Sequence, residues 1–397
     1  MTSQKWYGMI LAVTALALPV FGFAQEIKIS GEMWGRWTNE TAKYTDASGS
    51  YVNKTSKNYF SLERGYIGLE TKFSESTKAR FTVDLFSSDA THEVGTLTTA
   101  ADGTTTLTNK TSSIDGAGLK LKYAYVDFAN LVPVPEMVLS TGLQKVYFGT
   151  IYDWNYTLIG KAPTDEYKVA NSADYGVTVN GYIPSGWGEY AAGIYNGEGY
   201  KKVGSSLKDN TDFAYLANLR VTPFPGITLG GSYMMNSVEG EKKLAGDALN
   251  SSYQEQNLMD GIARLAYGPV DVWAEYISKD VTYPNVTGKD YTANCIMIMP
   301  IVSLKEYVGK DIQLVGRYDT WDQTENAGDM YLLNTITAGV NYNFLHDDSA
   351  NPAMQLQLNF TTKSYDEDES AAAYADGKKD SSQIMMQLKW RFANTIK

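Results

Sequence analysis

The stretch Gln383-Ile384-Met385-Met386-Gln387-Leu388-Lys389-Trp390-Arg391-Phe392 decides the fold class. Every second residue is apolar: Ile384, Met386, Leu388, Trp390 and Phe392. Between them fall Gln383, Met385, Gln387, Lys389 and Arg391, mostly polar or basic. A period of two belongs to a β-strand with one face toward an apolar medium and the other toward water. One such strand fits any half-buried sheet. A barrel exposed to lipid demands the pattern in every strand, because no backbone group can stay unpaired in hydrocarbon. The last strand must then close on the first.

The rest of the chain meets that demand. Glu26 to Thr38 alternates Ile27, Ile29, Gly31, Met33, Gly35 and Trp37 with Lys28, Ser30, Glu32, Trp34 and Arg36. In Tyr59 to Phe73, Ile67, Leu69, Thr71 and Phe73 oppose Arg64, Tyr66, Gly68, Glu70 and Lys72. Beyond Ser74-Glu75-Ser76, Ala79, Phe81, Val83 and Leu85 oppose Lys78, Arg80, Thr82 and Asp84. Further strands are expected at 119–128, 137–146, 173–183, 188–196, 212–222, 226–236, 258–267, 269–278, 291–302, 310–319, 332–344 and 353–362. With 383–392 the total is about sixteen, in the even-numbered range of transmembrane barrels. Long connections (39–58, 87–118, 147–172, 197–211, 237–257, 279–290, 320–331, 363–382) alternate with generally shorter ones. All long loops therefore lie at one end and both termini at the other. The fold class is all-β, a transmembrane antiparallel β-barrel with long external loops and short periplasmic turns.

Composition narrows the function. The 397 residues carry 34 Lys+Arg against 45 Asp+Glu, a net charge of −11, which argues against nucleic acid as a partner. After residue 24 no segment approaches the roughly 20 apolar residues of a spanning helix. Residues 1–24 read as a cleaved signal peptide, with Lys5, the apolar run Met9 to Phe21, and small residues at Gly22-Phe23-Ala24. Residues 25–397 then form a single barrel with a net charge of −12, because Lys5 goes with the leader. The lone Cys295, in the apolar run to Met299, is expected to be buried or lipid-facing. Two histidines and one cysteine give no basis for a metal site or other cofactor. No Gly-x-Ser-x-Gly, phosphate loop or histidine pair occurs, and neither His92 nor His346 has a serine partner, so the chain does not read as an enzyme.

Several segments, in order, resemble one family. They are Glu63-Arg64-Gly65-Tyr66-Ile67-Gly68-Leu69-Glu70, Ala124-Tyr125-Val126-Asp127-Phe128 and Ser140-Thr141-Gly142-Leu143-Gln144-Lys145-Val146-Tyr147-Phe148-Gly149. Ala173-Asp174-Tyr175-Gly176-Val177 and Ala192-Gly193-Ile194-Tyr195-Asn196-Gly197 follow. Together they are similar to the phosphate-selective porin O and P family of bacterial outer-membrane channels. The resemblance spans essentially the whole chain after the leader. It implies sixteen strands, a homotrimer, and a third external loop folded into the pore, here about 147–172. It also implies lipid and lipopolysaccharide around the barrel and passive flux of small anions or other hydrophilic solutes; phosphate itself is not implied.

Register parity assigns the expected pore lining. Its basic members are Lys28, Arg36, Arg64, Lys72, Lys78, Arg80, Arg220, Arg264, Arg317, Lys389 and Arg391. Its acids are Glu32, Glu70, Asp84, Asp174, Asp271, Glu275 and Asp319. This is a basic excess inside an acidic chain, and it reads either as mild anion preference or as a mixed-charge lumen with little selectivity. The expected constriction loop, reached through Gln144 and Lys145, carries Lys161 and Lys168 with Asp153, Asp165 and Glu166. Lys120 and Lys122 share a parity that would expose Asp127 to lipid, so a bulge is expected in the strand 119–128. Tyr147, Phe148, Tyr152, Trp154 and Tyr156 read either as anchors of the loop or as a stacking track for sugars. The alternatives to a general channel are a sugar-specific channel and a barrel acting through its loops as an adhesin or envelope anchor.

Overall fold

The computed structural model describes residues 26–45, 51–88, 91–99, 105–113, 116–131, 134–201, 212–238, 253–324, 331–347, 352–366 and 380–396. The expected leader, 1–24, lies outside the described residues. In chain order the strands begin with β1 (Glu26–Thr45), β2 (Tyr51–Lys72), β3 (Thr77–Ser88), β4 (Thr91–Thr99), β5 (Thr105–Ser113) and β6 (Gly116–Ala129). There follow β7 (Met137–Lys145), β8 (Ala173–Ile183), β9 (Gly188–Tyr195), β10 (Ala214–Phe224), β11 (Ile227–Val238) and β12 (Gln254–Tyr267). The last are β13 (Val270–Thr282), β14 (Tyr291–Ser303), β15 (Ile312–Thr324), β16 (Tyr331–His346), β17 (Pro352–Asp366) and β18 (Ser381–Ile396). Two single-turn helices, α1 (Pro163–Glu166) and α2 (Lys305–Val308), interrupt the connections.

Sixteen of these strands close into one antiparallel barrel, each paired with its neighbours, with β18 against β1. β4 and β5 form a separate two-stranded sheet. Closure satisfies the backbone groups that hydrocarbon could not. The outer face is apolar and open: Ile298 is 46% exposed, Leu358 50% and Phe360 48%. In water such a surface would be costly, whereas in a bilayer it is the surface that matches the solvent.

The closing seam is long. β18 pairs with β1 from Ser381 opposite Ala42 to Ile396 opposite Ile27. On its other edge the pairing with β17 stops at Trp390 opposite Met354. Phe392 lies across Gly31, where a methyl group would sit 2.4 Å from the ring, so the glycine makes room for the aromatic of the neighbouring strand. The residues after Phe392 therefore continue the last strand along β1.

Two sequence expectations need correction. The segment 39–58 is not one loop: β1 runs on to Thr45 and β2 begins at Tyr51. Those ends are polar, and alternation is required only of the part of a strand that faces hydrocarbon. The segment 87–118 is not simply irregular either, since it contains the β4–β5 hairpin. The expected bulge in β6 is present: Tyr123 pairs with Thr82 and Leu121 with Val83, leaving Lys122 as the extra residue.

Candidate functional site

Between β7 and β8, residues 146–172 run through the barrel interior, held by the wall residue by residue. The apolar part of the seat is the inner face of β10 to β14. Phe148 and Val169 pack into a buried cluster with Leu216, Leu258, Ile277 and Cys295. Leu158 packs on Met297, Met299, Ile301 and Val315. Cys295 is thus buried on the inner face of the wall. Gly149 has φ +55°, and a side chain there would meet Glu275 Oε1 at 2.6 Å, so only glycine allows this approach.

Polar bonds fix the same course. Thr150 donates to Glu275 through its backbone N–H (3.0 Å) and its hydroxyl (2.7 Å). Arg220 pairs with Asp153 at 2.6 Å and donates to the Gly149 carbonyl, also at 2.6 Å. Tyr152 donates to Glu189 at 2.6 Å. Arg317 pairs with Asp319 and donates to the Lys161 carbonyl at 2.6 Å. The Tyr167 hydroxyl donates to Asp319 at 2.9 Å while its ring stacks on Trp321. Lys363 on β17 pairs with Glu166 of α1 at 2.8 Å. At the far side the Tyr156 ring meets Trp34 edge-on at 4.6 Å. The Tyr156 carbonyl accepts from Gln357 (2.9 Å) and Lys389 (3.2 Å), and Asn341 donates to the Thr157 carbonyl. The loop therefore reaches the closing seam. Its aromatic residues are spent on these anchors: Phe148 is fully buried, Tyr152 and Tyr156 lie against arginines, and Trp154 donates to the Gly160 carbonyl.

The charged residues fall into two groups according to what holds them. In the first, carboxylates hold the cations. Arg36 pairs with Glu63 (3.0 Å) and donates twice to Gln387. Arg80 lies 3.8 Å from Glu70, Lys120 3.5 Å from Asp84, Lys72 2.7 Å from Glu75, and Arg264 2.8 Å from Asp271. In the second group, aromatic rings, hydroxyls and carbonyls hold the cations. The Arg64 guanidinium lies 4.3 Å from the Trp34 ring, 4.7 Å from Tyr66 and 4.4 Å from Tyr156, and donates to the Tyr156 hydroxyl at 2.8 Å. Lys122 bonds the Ser172 hydroxyl and sits 4.3 Å from the Tyr200 ring. Lys389 sits 5.3 Å from the Trp34 ring besides its bond to the loop. Among the described residues no ion pair joins Arg64, Lys122 or Lys389 to a carboxylate.

The remaining expected residues are spread around the interior. Lys28, Lys72, Lys78, Arg80 and Glu70 line a cavity of about 450 Å³ at the short-turn end. Arg391 is exposed on the overhang of β18. Lys145 ends β7, Asp165 lies half-buried in α1, and Lys168 is exposed. Of the loop's charges, Asp153 and Glu166 pair with the wall, and Lys161 and Glu166 both line a chamber of about 300 Å³ whose charges are mixed, with Arg36, Arg64 and Arg317 beside Glu63 and Asp319. A second chamber of about 560 Å³ lies on the other face of the Tyr156–Thr157 segment.

Parity alone missed several interior charges. Glu63 is the extra residue of a bulge in β2, between Leu62 and Arg64, and so breaks the count. Lys279 and Lys363 lie just past the expected strand ends, in longer strands. Asp260 shares the parity of Arg264 and was readable from it.

No family model matches the chain, and no curated protein matches it in sequence. Solved structures do match in fold. One is the outer membrane channel DcaP of Acinetobacter baumannii, with TM-score 0.59 and 11% identity, covering 92% of this chain and 97% of that one. Another is the anion-selective porin from Comamonas acidovorans, with TM-score 0.54 and 13% identity over 93% and 100%. A third is the trimer form of OmpT, an outer membrane protein of Vibrio cholerae, with TM-score 0.56 and 10% identity over 92% and 99%. Identities this low speak to the fold alone, a closed sixteen-stranded antiparallel β-barrel of the kind these outer-membrane proteins share. The narrower resemblance to the phosphate-selective porin O and P family rests on the sequence motifs alone.

Proposed function

We propose that the chain is a passive diffusion channel of the bacterial outer membrane for small hydrophilic solutes, with a mild preference for anions, working as a homotrimer. In this reading residues 146–172 are the constriction, and the inward-facing charges form its filter. The observation that carries the preference is the second group of cations. Arg64, Lys122 and Lys389 are held by rings, a hydroxyl and carbonyls, and no carboxylate lies within ion-pair distance of them among the described residues. At an effective dielectric of about 20, one such charge about 8 Å away favours an anion by roughly 2 kcal/mol before screening. Nearby acids and salt reduce that figure, which is why the preference is mild. An anion-selective porin and a trimeric outer membrane protein among the matching folds are in keeping with this reading.

Planar-bilayer recording in a salt gradient tests it. Purified protein should conduct, with a reversal potential on the anion side. Arg64→Gln should lower the anion-to-cation permeability ratio by about two- to fivefold. Absence of conductance defeats the channel reading, and cation preference in the unmodified protein defeats the filter.

A further inference from the structure

The inner wall over β16, β17 and β18 differs from the rest of the barrel. Asn341 and Asn343 on β16, Gln355 and Gln357 on β17, and Gln387 on β18 make it a surface of neutral amides, and no carboxylate stands among them. Amides in a protein interior normally find partners for both ends. Gln357 donates to the Tyr156 carbonyl and accepts from Gln387, and Gln387 in turn accepts from Arg36, so both are satisfied at both ends. Gln355 does not. Its Nε2 donates to Asn343 Oδ1 at 2.7 Å, but its Oε1 is buried and accepts from nothing among the described residues. The residue as a whole is 8% exposed, so the amide must turn for this oxygen to reach the chamber beside it.

Gln355 lines the chamber of about 560 Å³, and the loop contributes Asn155 and Thr157 to the same lining. The volume falls in the range of small-molecule sites. Its charges balance: Glu32 and Asp271 stand against Lys389 and Arg391. A solute with net charge gains little there. A solute rich in hydroxyl groups gains hydrogen bonds to the amides of Asn155, Gln313 and Asn343 and to Thr157, and supplies the missing donor once the Gln355 amide turns toward it.

We propose that this chamber is a binding subsite for an uncharged polyhydroxylated solute of mono- or disaccharide size, away from Arg64 and Lys122 and sharing only Lys389 with the filter. The proposal rests on the channel reading for how the solute arrives, but not for the chemistry of the wall. Recognition here is by hydrogen bonds to amides rather than by stacking on rings, because the aromatic residues of the loop are already engaged.

The test uses maltose as the probe, added to the short-turn side of single channels in a planar bilayer. Maltose should reduce the ion current with saturation. Maltose with its hydroxyls methylated, which keeps the ring shape but has no donors, should raise the half-blocking concentration at least tenfold. Gln355→Leu should raise it by a similar factor, whereas Arg64→Gln should change it by less than twofold while altering ion selectivity. Block that does not saturate, or that methylated maltose reproduces, overturns the subsite and leaves the channel reading intact. If the protein passes no current, the channel reading falls. Calorimetric titration of maltose into the detergent-solubilised protein then decides the subsite alone: saturable heat lost with the methylated sugar supports it, and its absence overturns it.

Discussion

β14 and β17 are alike from outside and opposite from inside. Both turn aliphatic side chains to lipid, Ile296 and Ile298 on one, Leu356 and Leu358 on the other. Inward, β14 carries Ala293, Cys295, Met297, Met299 and Ile301, all buried, whereas β17 carries Gln355, Gln357, Asn359 and Thr361, also buried. The outer face answers to the bilayer, which is the same for every strand. The inner face answers to whatever crosses it. Beneath β14 lies the apolar underside of the inward loop, and dispersion and water exclusion hold it there. At β17 the loop presents backbone carbonyls, and amides hold it instead. The lumen is therefore a set of differently furnished walls around one crossing segment.

The comparison breaks first at Met297, which is fully buried. Met297→Glu places a third carboxylate between Glu275 and Asp319, its cross-strand neighbours, beneath Leu158, a change that costs on the order of several kcal/mol and should lift the loop from its seat. Single-channel conductance should rise severalfold with added noise. Thr361→Arg, into the chamber of about 300 Å³ that Thr361 lines, should change conductance less than twofold and strengthen anion preference. Equal effects at the two sites would mean that β14 is no special seat.

A smaller effect separates cations held by rings from those held by acids. Lys122→Gln should lower the anion-to-cation permeability ratio about twofold. Removing the Lys120–Asp84 pair together, by Lys120→Gln with Asp84→Asn, leaves the net charge unchanged and should move the ratio by much less. Reversal potentials in the same salt gradient distinguish the two outcomes. The smallest effect belongs to the outer faces, where β14 and β17 should behave alike. Ile298→Ala and Leu358→Ala, each about half exposed to lipid, should each cost about 1 kcal/mol or less in the stability of the barrel refolded in lipid. A large asymmetry between them would show that one face is covered by protein.

How far the chain could be read in advance follows from the same contrast. Alternation against lipid marked the barrel strands other than β14, which was legible as an apolar run, and it included the seam of β18 on β1, because every strand faces the same solvent. The β6 bulge was legible from charge parity alone, since no regular strand keeps Lys120, Lys122 and Asp127 all out of lipid. The seat of the loop was not legible. In β14 an apolar run facing lipid on one side and a loop on the other has no alternation to reveal which is which. Nor could parity tell a cation cancelled by a neighbour from one cushioned by aromatic rings. Arg36 and Arg64 look the same in sequence, yet one meets Glu63 and the other meets Trp34, Tyr66 and Tyr156.

The pairing of Ile27 with Ile396 makes the sheet cyclic in space although it is linear in sequence. No strand is first as far as the hydrogen-bond ladder is concerned. Joining the two ends of the seam through a short linker, and opening the chain instead in a long external connection, preserves all sixteen pairings of the ring. Such a circular permutant would share the finished barrel and differ only in which strand is delivered last.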